Sequence, residues 1–242
     1  MWVVAHRGAS GHAPENTMAA FRRAAEMGAR FIETDLRLTR DARVVAIHDA
    51  TLDRTTTGHG PVYLCSLEEM RALDAGAWFD SHGGGSFAGE RVPTLEEILR
   101  FAKERDVLLY LEIKPDETWG IEHAIVGALR DSGESARVVL LCFDTRLLES
   151  VRRLDGNFMT GYLCDHPSPD LVDRAIDLGA RQLVPRGDLA TPSLVRKAHE
   201  AGLQVVAWTI NEPDQMRRLI AAGADGIMTD YPERLVGVLQ EG

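Results

Sequence analysis

Residues 31–49 read Phe-Ile-Glu-Thr-Asp-Leu-Arg-Leu-Thr-Arg-Asp-Ala-Arg-Val-Val-Ala-Ile-His-Asp. Side chains alternate between the faces of a strand, so Glu33 and Asp35 point the same way. Two carboxylates side by side repel each other unless something positive lies between them. A hard divalent cation with oxygen ligands is a natural occupant. Two solvated acids on an edge strand are the plainer alternative. The mostly apolar Ala29–Ile32 in front and His48-Asp49 behind argue against it, because they place the acids at the end of a buried strand. Ligands bind there in α/β proteins. A turn at Arg40-Asp41 separates the two halves of the stretch.

Outward from this stretch, strands and helices alternate. Before it, Trp2–Ala5 is a short apolar strand ending in His6-Arg7-Gly8, and Pro14-Glu15-Asn16-Thr17 opens a helix that runs to Met27. After it comes a long irregular region, about forty residues rich in Thr, Gly and Asp, of the kind that is usually functional. Thr94-Leu-Glu-Glu97 then caps a helix. Strands follow at 107–114, 137–143, 158–164, 180–185, 203–209 and 225–229, each trailed by a helix, the first of these from about Trp119 to Asp131. Gly28, Gly179, Gly202 and Gly223 recur as helix stops just before an apolar strand. Eight such units in 242 residues predict a (β/α)8 TIM barrel of one domain, with a small insertion after the second strand. An open doubly wound sheet is the competing reading, but residues 8–11 lack the GxGxxG turn it would carry.

Composition narrows the function. The chain is 45% hydrophobic and 26% charged, ordinary for a soluble globular protein, with a formal net charge of −10. That charge argues against nucleic acid and against stable association with an anionic membrane. An anionic substrate would need a local positive cluster. Cys65, Cys142 and Cys164 form no CxxC pair, which reads as reduced thiols in a cytoplasmic setting. The N-terminus is too short for a signal sequence and no run is long enough to span a bilayer. Oligomeric state is not legible.

In a barrel the active site lies at the C-terminal ends of the strands. His6 and Arg7 end the first; Glu33, Asp35 and His48 lie at or beyond the end of the second; Glu112 and Lys114 end the third. Phe143 ends the fourth, Arg186 follows the sixth, Trp208 ends the seventh and Asp230 the eighth. His6 alone could be a core histidine, but beside Arg7 and the acids it reads as catalytic. Lys114 could reach out to solvent, yet next to Glu112 it more plausibly meets an anion. Trp208 is packing or ligand stacking, Asp230 caps the last helix or touches substrate, and Arg186 is undecided.

Together these residues resemble a family. His6-Arg7-Gly8 with Pro14–Thr17, Glu33-x-Asp35, His48-Asp49 with Leu52-x-Arg54-Thr55-Thr56, Glu112-x-Lys114, Trp208-Thr209 and Gly226–Pro232 look like the glycerophosphodiester phosphodiesterases. Cys142-Phe143 departs from the expected Ser-Phe. The resemblance implies a barrel with its insertion, or cap, at about 50–92. It implies hydrolysis of small-molecule glycerophosphodiesters to glycerol 3-phosphate and an alcohol. It also implies a divalent metal, Ca²⁺ or Mg²⁺, on Glu33, Asp35 and Glu112, with His6 and His48 as the acid/base pair. Arg7, Lys114, Phe143 and Trp208 would then meet the phosphate and substrate. A lyase on the same barrel, or a non-catalytic phosphate-binding protein, are the alternatives; the second needs neither histidine.

Overall fold

The computed structural model describes residues 1–80, 86–115 and 120–241. In chain order, β1 (Trp2–Ala5) leads to α1 (Met18–Glu26), and β2 (Phe31–Leu38) folds back as β3 (Val44–Ala46). A 3-10 turn (Val62–Leu64), α2 (Leu67–Arg71) and α3 (Ala77–Asp80) precede α4 (Leu95–Arg105). Then come β4 (Leu108–Ile113), α5 (Ile121–Ser132), β5 (Val138–Cys142), α6 (Thr145–Leu154), β6 (Met159–Cys164) and α7 (Leu171–Asp177). The chain closes with β7 (Gln182–Pro185), α8 (Pro192–Glu200), β8 (Gln204–Ala207), α9 (Pro213–Ala222), β9 (Gly226–Thr229) and α10 (Pro232–Gln240).

Eight strands pair in parallel in the order β1-β2-β4-β5-β6-β7-β8-β9, and β9 returns to β1, so the sheet is a closed TIM barrel. The ninth strand, β3, is antiparallel to the far end of β2, with Leu36 opposite Ala46. The most extensive core lies between strands and helices, where Ile32, Leu36, Leu109, Leu111, Ile113 and Leu140 meet Phe21, Ile98, Ile125 and Leu148. Inside the barrel, Val4, Tyr110, Val139, Leu141, Leu163, Val184, Val206 and Met228 form an apolar floor. Two residues further along the same strands, on the same inward face, stand His6, Glu112, Phe143 and Trp208. The period-two alternation therefore lays a polar layer on an apolar one.

Three expectations need correction. Glu33 and Asp35 lie inside β2 rather than at its end, because pairing with β3 carries the strand three residues beyond Asp35. Helix α1 starts at Met18 behind the Thr17 cap, not at Pro14, because Asn16 sits at φ +57° and is not helical. The span after His48 is not wholly irregular. Its short helices gather Leu52, Val62, Met70, Ala75 and Val92 with Val45 and Ile47 into a satellite core. Residues 81–85 of that span lie outside the described residues, as does Trp119, where the sequence placed a helix start. The cap at Thr94 is present as a full capping box with Glu97, and the four repeat glycines have φ between +65° and +86°.

Candidate active site

The parallel register sets Asp35 opposite Glu112 on adjacent strands, and Glu33 lies two residues back on the same face. One carboxylate oxygen from each of Glu33, Asp35 and Glu112 lies within 4.8 Å of the others, and all three residues are buried. Each is held differently. The backbone N–H of Arg7, itself at φ +56°, donates to Glu33 Oε2 at 2.9 Å. Asn16 Nδ2 donates to Asp35 Oδ2 at 2.8 Å while its Oδ1 accepts from Thr34 Oγ1 at 2.6 Å. Arg7 Nε is 3.2 Å from Asp35 Oδ2, and Lys114 Nζ bridges Asp35 Oδ1 at 2.9 Å and Glu112 Oε1 at 2.5 Å. Glu33 Oε1 is buried without a hydrogen-bond partner among the described residues.

The electrostatics follow from crowding. Burial, then the charges of Asp35 and Glu112, push the Glu33 carboxyl well above its usual range. Burial and Asp35 lift Glu112 to about 7, against the pull of Lys114. Burial also opposes ionisation of Asp35, but Lys114 and Arg7 outweigh it and hold that carboxyl well below the ordinary value. The set is all oxygen, close-spaced and under-neutralised, and Glu33 Oε1 has no hydrogen-bond partner among the described residues. It fits a hard divalent cation; a zinc site would draw on sulfur or more imidazoles.

Two histidines flank this triad, each with its own carboxylate. His6 Nδ1 is 2.7 Å from Asp230 Oδ1, and His48 Nδ1 is 2.8 Å from Asp49 Oδ1. An ionised carboxylate only accepts, so both rings carry hydrogen on Nδ1 and keep Nε2 free. His6 Nε2 lies 4.0 Å from Glu33 Oε2. Burial, with Arg7 and Lys114 nearby, lowers the His48 imidazole below its ordinary value despite Asp35. Asp230 is in turn gripped by Asn211 Nδ2 at 2.6 Å, and despite burial the bond to His6 helps hold it at about 2.

Above the triad opens a cleft of about 470 Å³ lined by His6, Arg7, Glu33, His48, Glu112 and Lys114 on one side. Leu141, Phe143, Leu163, Trp208 and Met228 line the other. Phe143 and Trp208 meet edge to face, centroids 5.4 Å apart, and Trp208 Nε1 donates to Val184 O at 2.9 Å. One wall is thus charged and the other apolar, as a phosphodiester with an organic alcohol requires.

A sequence profile of the glycerophosphoryl diester phosphodiesterase family matches residues 6–234. The chain belongs to that family. It is 39% identical to a glycerophosphodiester phosphodiesterase of Caldanaerobacter subterraneus subsp. tengcongensis, over 99% of this chain and 98% of the relative. An Oleispira antarctica phosphodiesterase solved with the product sn-glycerol-3-phosphate superposes with TM-score 0.90 at 30% identity, covering 99% of this chain and 97% of the other. A glycerophosphodiester phosphodiesterase from Agrobacterium tumefaciens gives TM-score 0.86 at 27% identity, over 98% and 99% of the two chains. This member of the glycerophosphoryl diester phosphodiesterase family is therefore a phosphoric diester hydrolase built on a TIM barrel.

All nine residues singled out from the sequence for chemistry or substrate come together at one mouth of the barrel. Arg186 does not join them; it points to solvent and forms two hydrogen bonds with Asp188 at 2.7 and 2.8 Å. Asp230 does not cap α10, which has no side-chain cap; it orients His6. The family motif Glu15-Asn16 was visible without a role, and the structure gives both residues one: Asn16 pins Asp35, and Glu15 accepts from Arg7 Nη1 at 2.9 Å. The Cys142 departure is absorbed, since its thiol donates to Ile113 O at 3.1 Å and accepts from Asp144 N at 3.3 Å, as a serine hydroxyl could. Among the described residues no helix is long and apolar enough to cross a membrane.

Proposed function

We propose that this protein hydrolyses glycerophosphodiesters to glycerol 3-phosphate and an alcohol, by histidine acid/base catalysis at a divalent metal site. The observation that supports it is the buried triad of Glu33, Asp35 and Glu112 flanked by two imidazoles with free Nε2 atoms. Ca²⁺ or Mg²⁺ on the triad would supply a Lewis acid for a phosphoryl oxygen. Arg7 and Lys114 contribute the positive charge that receives the phosphate of the substrate as negative charge builds in the transition state. Phe143 and Trp208 pack against the organic part. The span 50–92 is a cap on the single barrel domain, and the enzyme works in the cytoplasm on small molecules without nucleic acid or a stable membrane partner.

Among the described residues the cleft lining holds no serine or cysteine, and Ser10, near His6, directs its hydroxyl to His6 O and Asp230 Oδ1 on the Nδ1 side of the ring. The attacking oxygen is the substrate's own glycerol 2-hydroxyl. One histidine takes its proton as the new P–O bond forms; the other protonates the departing alcohol as the old P–O bond breaks. The cyclic phosphate that results is opened by water with the two roles exchanged. An intramolecular hydroxyl avoids the entropy of fixing a free water, an advantage that can reach an effective molarity on the order of 10⁵ M.

The test compares glycerophosphocholine, with and without EDTA, against its analogue bearing hydrogen in place of the 2-hydroxyl. Turnover that EDTA abolishes and a metal restores, with a binding but inert analogue, is expected. Activity unaffected by EDTA refutes the metal site, and normal turnover of the analogue refutes the cyclic route.

A further inference from the structure

Arg54 lies outside the cleft lining, yet its guanidinium makes four hydrogen bonds to two acids. Nε and Nη2 donate to Asp49 at 2.7 and 2.9 Å. Nη1 and Nη2 donate to Glu15 at 2.8 Å each. Both acids continue inward: Asp49 accepts from His48 Nδ1, and Glu15 Oε1 accepts from Arg7 Nη1. The result is an unbroken chain, His48–Asp49–Arg54–Glu15–Arg7, with its two ends in the cleft.

As a brace for the fold this arrangement has little use. The Arg54 side chain is 44% exposed, and exposed ion pairs contribute little to stability. As a jig it makes sense. A fork-on-fork pair fixes the plane of each carboxylate as well as its distance. Asp49 can steer the His48 ring only if its own plane is set, and Glu15 can hold Arg7 only if it is itself held. Without Arg54, two neighbouring acids lose their common counter-ion, and Glu15 is free to draw Arg7 away from Asp35, 3.2 Å on its other side.

We infer that Arg54 is a positioning residue which, from the start of the 50–92 insertion, sets both His48 and Arg7 in place through Asp49 and Glu15. The inference rests on the proposed roles of His48 and Arg7. It ties the catalytic geometry to the insertion: a displacement of that segment at Arg54 moves an acid/base group and a phosphate-binding group together.

The experiment measures kcat and KM on glycerophosphocholine for wild type, Arg54→Ala, Arg54→Lys, His48→Ala and Arg7→Ala, with circular dichroism on each. For Arg54→Ala a fall in kcat of about 100-fold is expected, with KM raised less than about threefold. Guanidinium chloride should return about tenfold of that loss through the solvent-open gap, and sodium chloride at equal ionic strength should not. Arg54→Lys keeps the charge but cannot form both forks, so its kcat should lie between the two. A kcat for Arg54→Ala within about twofold of wild type overturns the inference, and so does a folded variant that guanidinium leaves unrescued. If Arg54→Ala does not fold, Arg54→Lys decides: native spectra with a full rate overturn it. Full activity in His48→Ala or Arg7→Ala is a different failure, because it removes the site reading and not the role of Arg54 alone.

Discussion

The hydrogen-bond directions around His6 allow a sharp test with one nearly isosteric change, Asp230→Asn. Asp230 Oδ1 accepts from His6 Nδ1 at 2.7 Å, and Oδ2 accepts from Asn211 Nδ2 at 2.6 Å. The Asn211 amide cannot turn, because its Oδ1 already accepts from the Asp230 backbone N–H at 2.9 Å and from Thr229 Oγ1 at 3.1 Å. An asparagine at 230 therefore has two poor choices. With its oxygen towards His6, its NH₂ meets the Asn211 NH₂, donor against donor. Turned over, its NH₂ faces His6 Nδ1, the ring proton moves to Nε2, and the atom facing the cleft loses its lone pair. A buried donor left unmet costs roughly 1–3 kcal/mol, and a bond to a charged acceptor is lost as well. Taken together, about 2–4 kcal/mol reaches the transition state, a fall in kcat of about 30- to 1,000-fold. Rates of choline release from glycerophosphocholine, with circular dichroism as the control, measure it. A folded Asp230→Asn enzyme within about threefold of the wild-type kcat would show that Asp230 does not set the His6 tautomer.

Replacing Glu33, Asp35 or Glu112 by alanine should abolish EDTA-sensitive activity with the fold intact, and full activity in Glu112→Ala would remove it from the metal site. Metal should also raise the thermal midpoint of the wild type: at a hundred times its dissociation constant a ligand adds about 2.7 kcal/mol, or roughly 5–10 °C for a chain of this size, and a calorimetric shift absent in wild type or retained in the alanine variants would contradict the site. Lys114→Met should lower kcat/KM by an amount equivalent to about 2–4 kcal/mol, and a change under about twofold would count against phosphate binding. Because burial, Arg7 and Lys114 lower the His48 imidazole, the ring is neutral at pH 7 and gains its proton only on acidification. The acid limb of the kcat profile should therefore fall below about pH 6.5, the ordinary imidazole value, and disappear in His48→Ala; an unchanged limb would assign it to another group.

The barrel was legible because its strands are short apolar runs, four of them set just behind a helix-stopping glycine (Gly28, Gly179, Gly202 and Gly223), signals that need no distant partner. The shared face of Glu33 and Asp35, and that of Glu112 and Lys114, was legible for the same local reason: a period of two along a strand fixes it, wherever the strand ends. The short β3 was harder, since Val44–Ala46 becomes a strand only by pairing with an extension of β2. The helix boundary at Asn16 was missed although φ +57° is a conformation Asn adopts readily, because its side-chain bond to Asp35 is made across 19 positions. The orienting groups were the least visible. Asp230 meets His6 across 224 positions, and Arg54, besides its near neighbour Asp49, meets Glu15 across 39; nothing local names those distant partners. Their order in the motifs pointed to importance but not to geometry.

The ring of strands is closed by its two ends, with β1 lying between β2 and β9. That seam carries His6, which we propose as an acid/base group, on one side and Asp230, the carboxylate its Nδ1 meets, on the other. A growing chain thus makes His6 224 positions before Asp230, and must add every strand between them before the two can meet. Until the last strand docks, the carboxylate triad can assemble from β2 and β4 and offer the proposed metal site, but His6 lacks the carboxylate that sets its tautomer. Metal binding and turnover should accordingly appear at different moments of folding, the first with the early half of the barrel and the second only on closure.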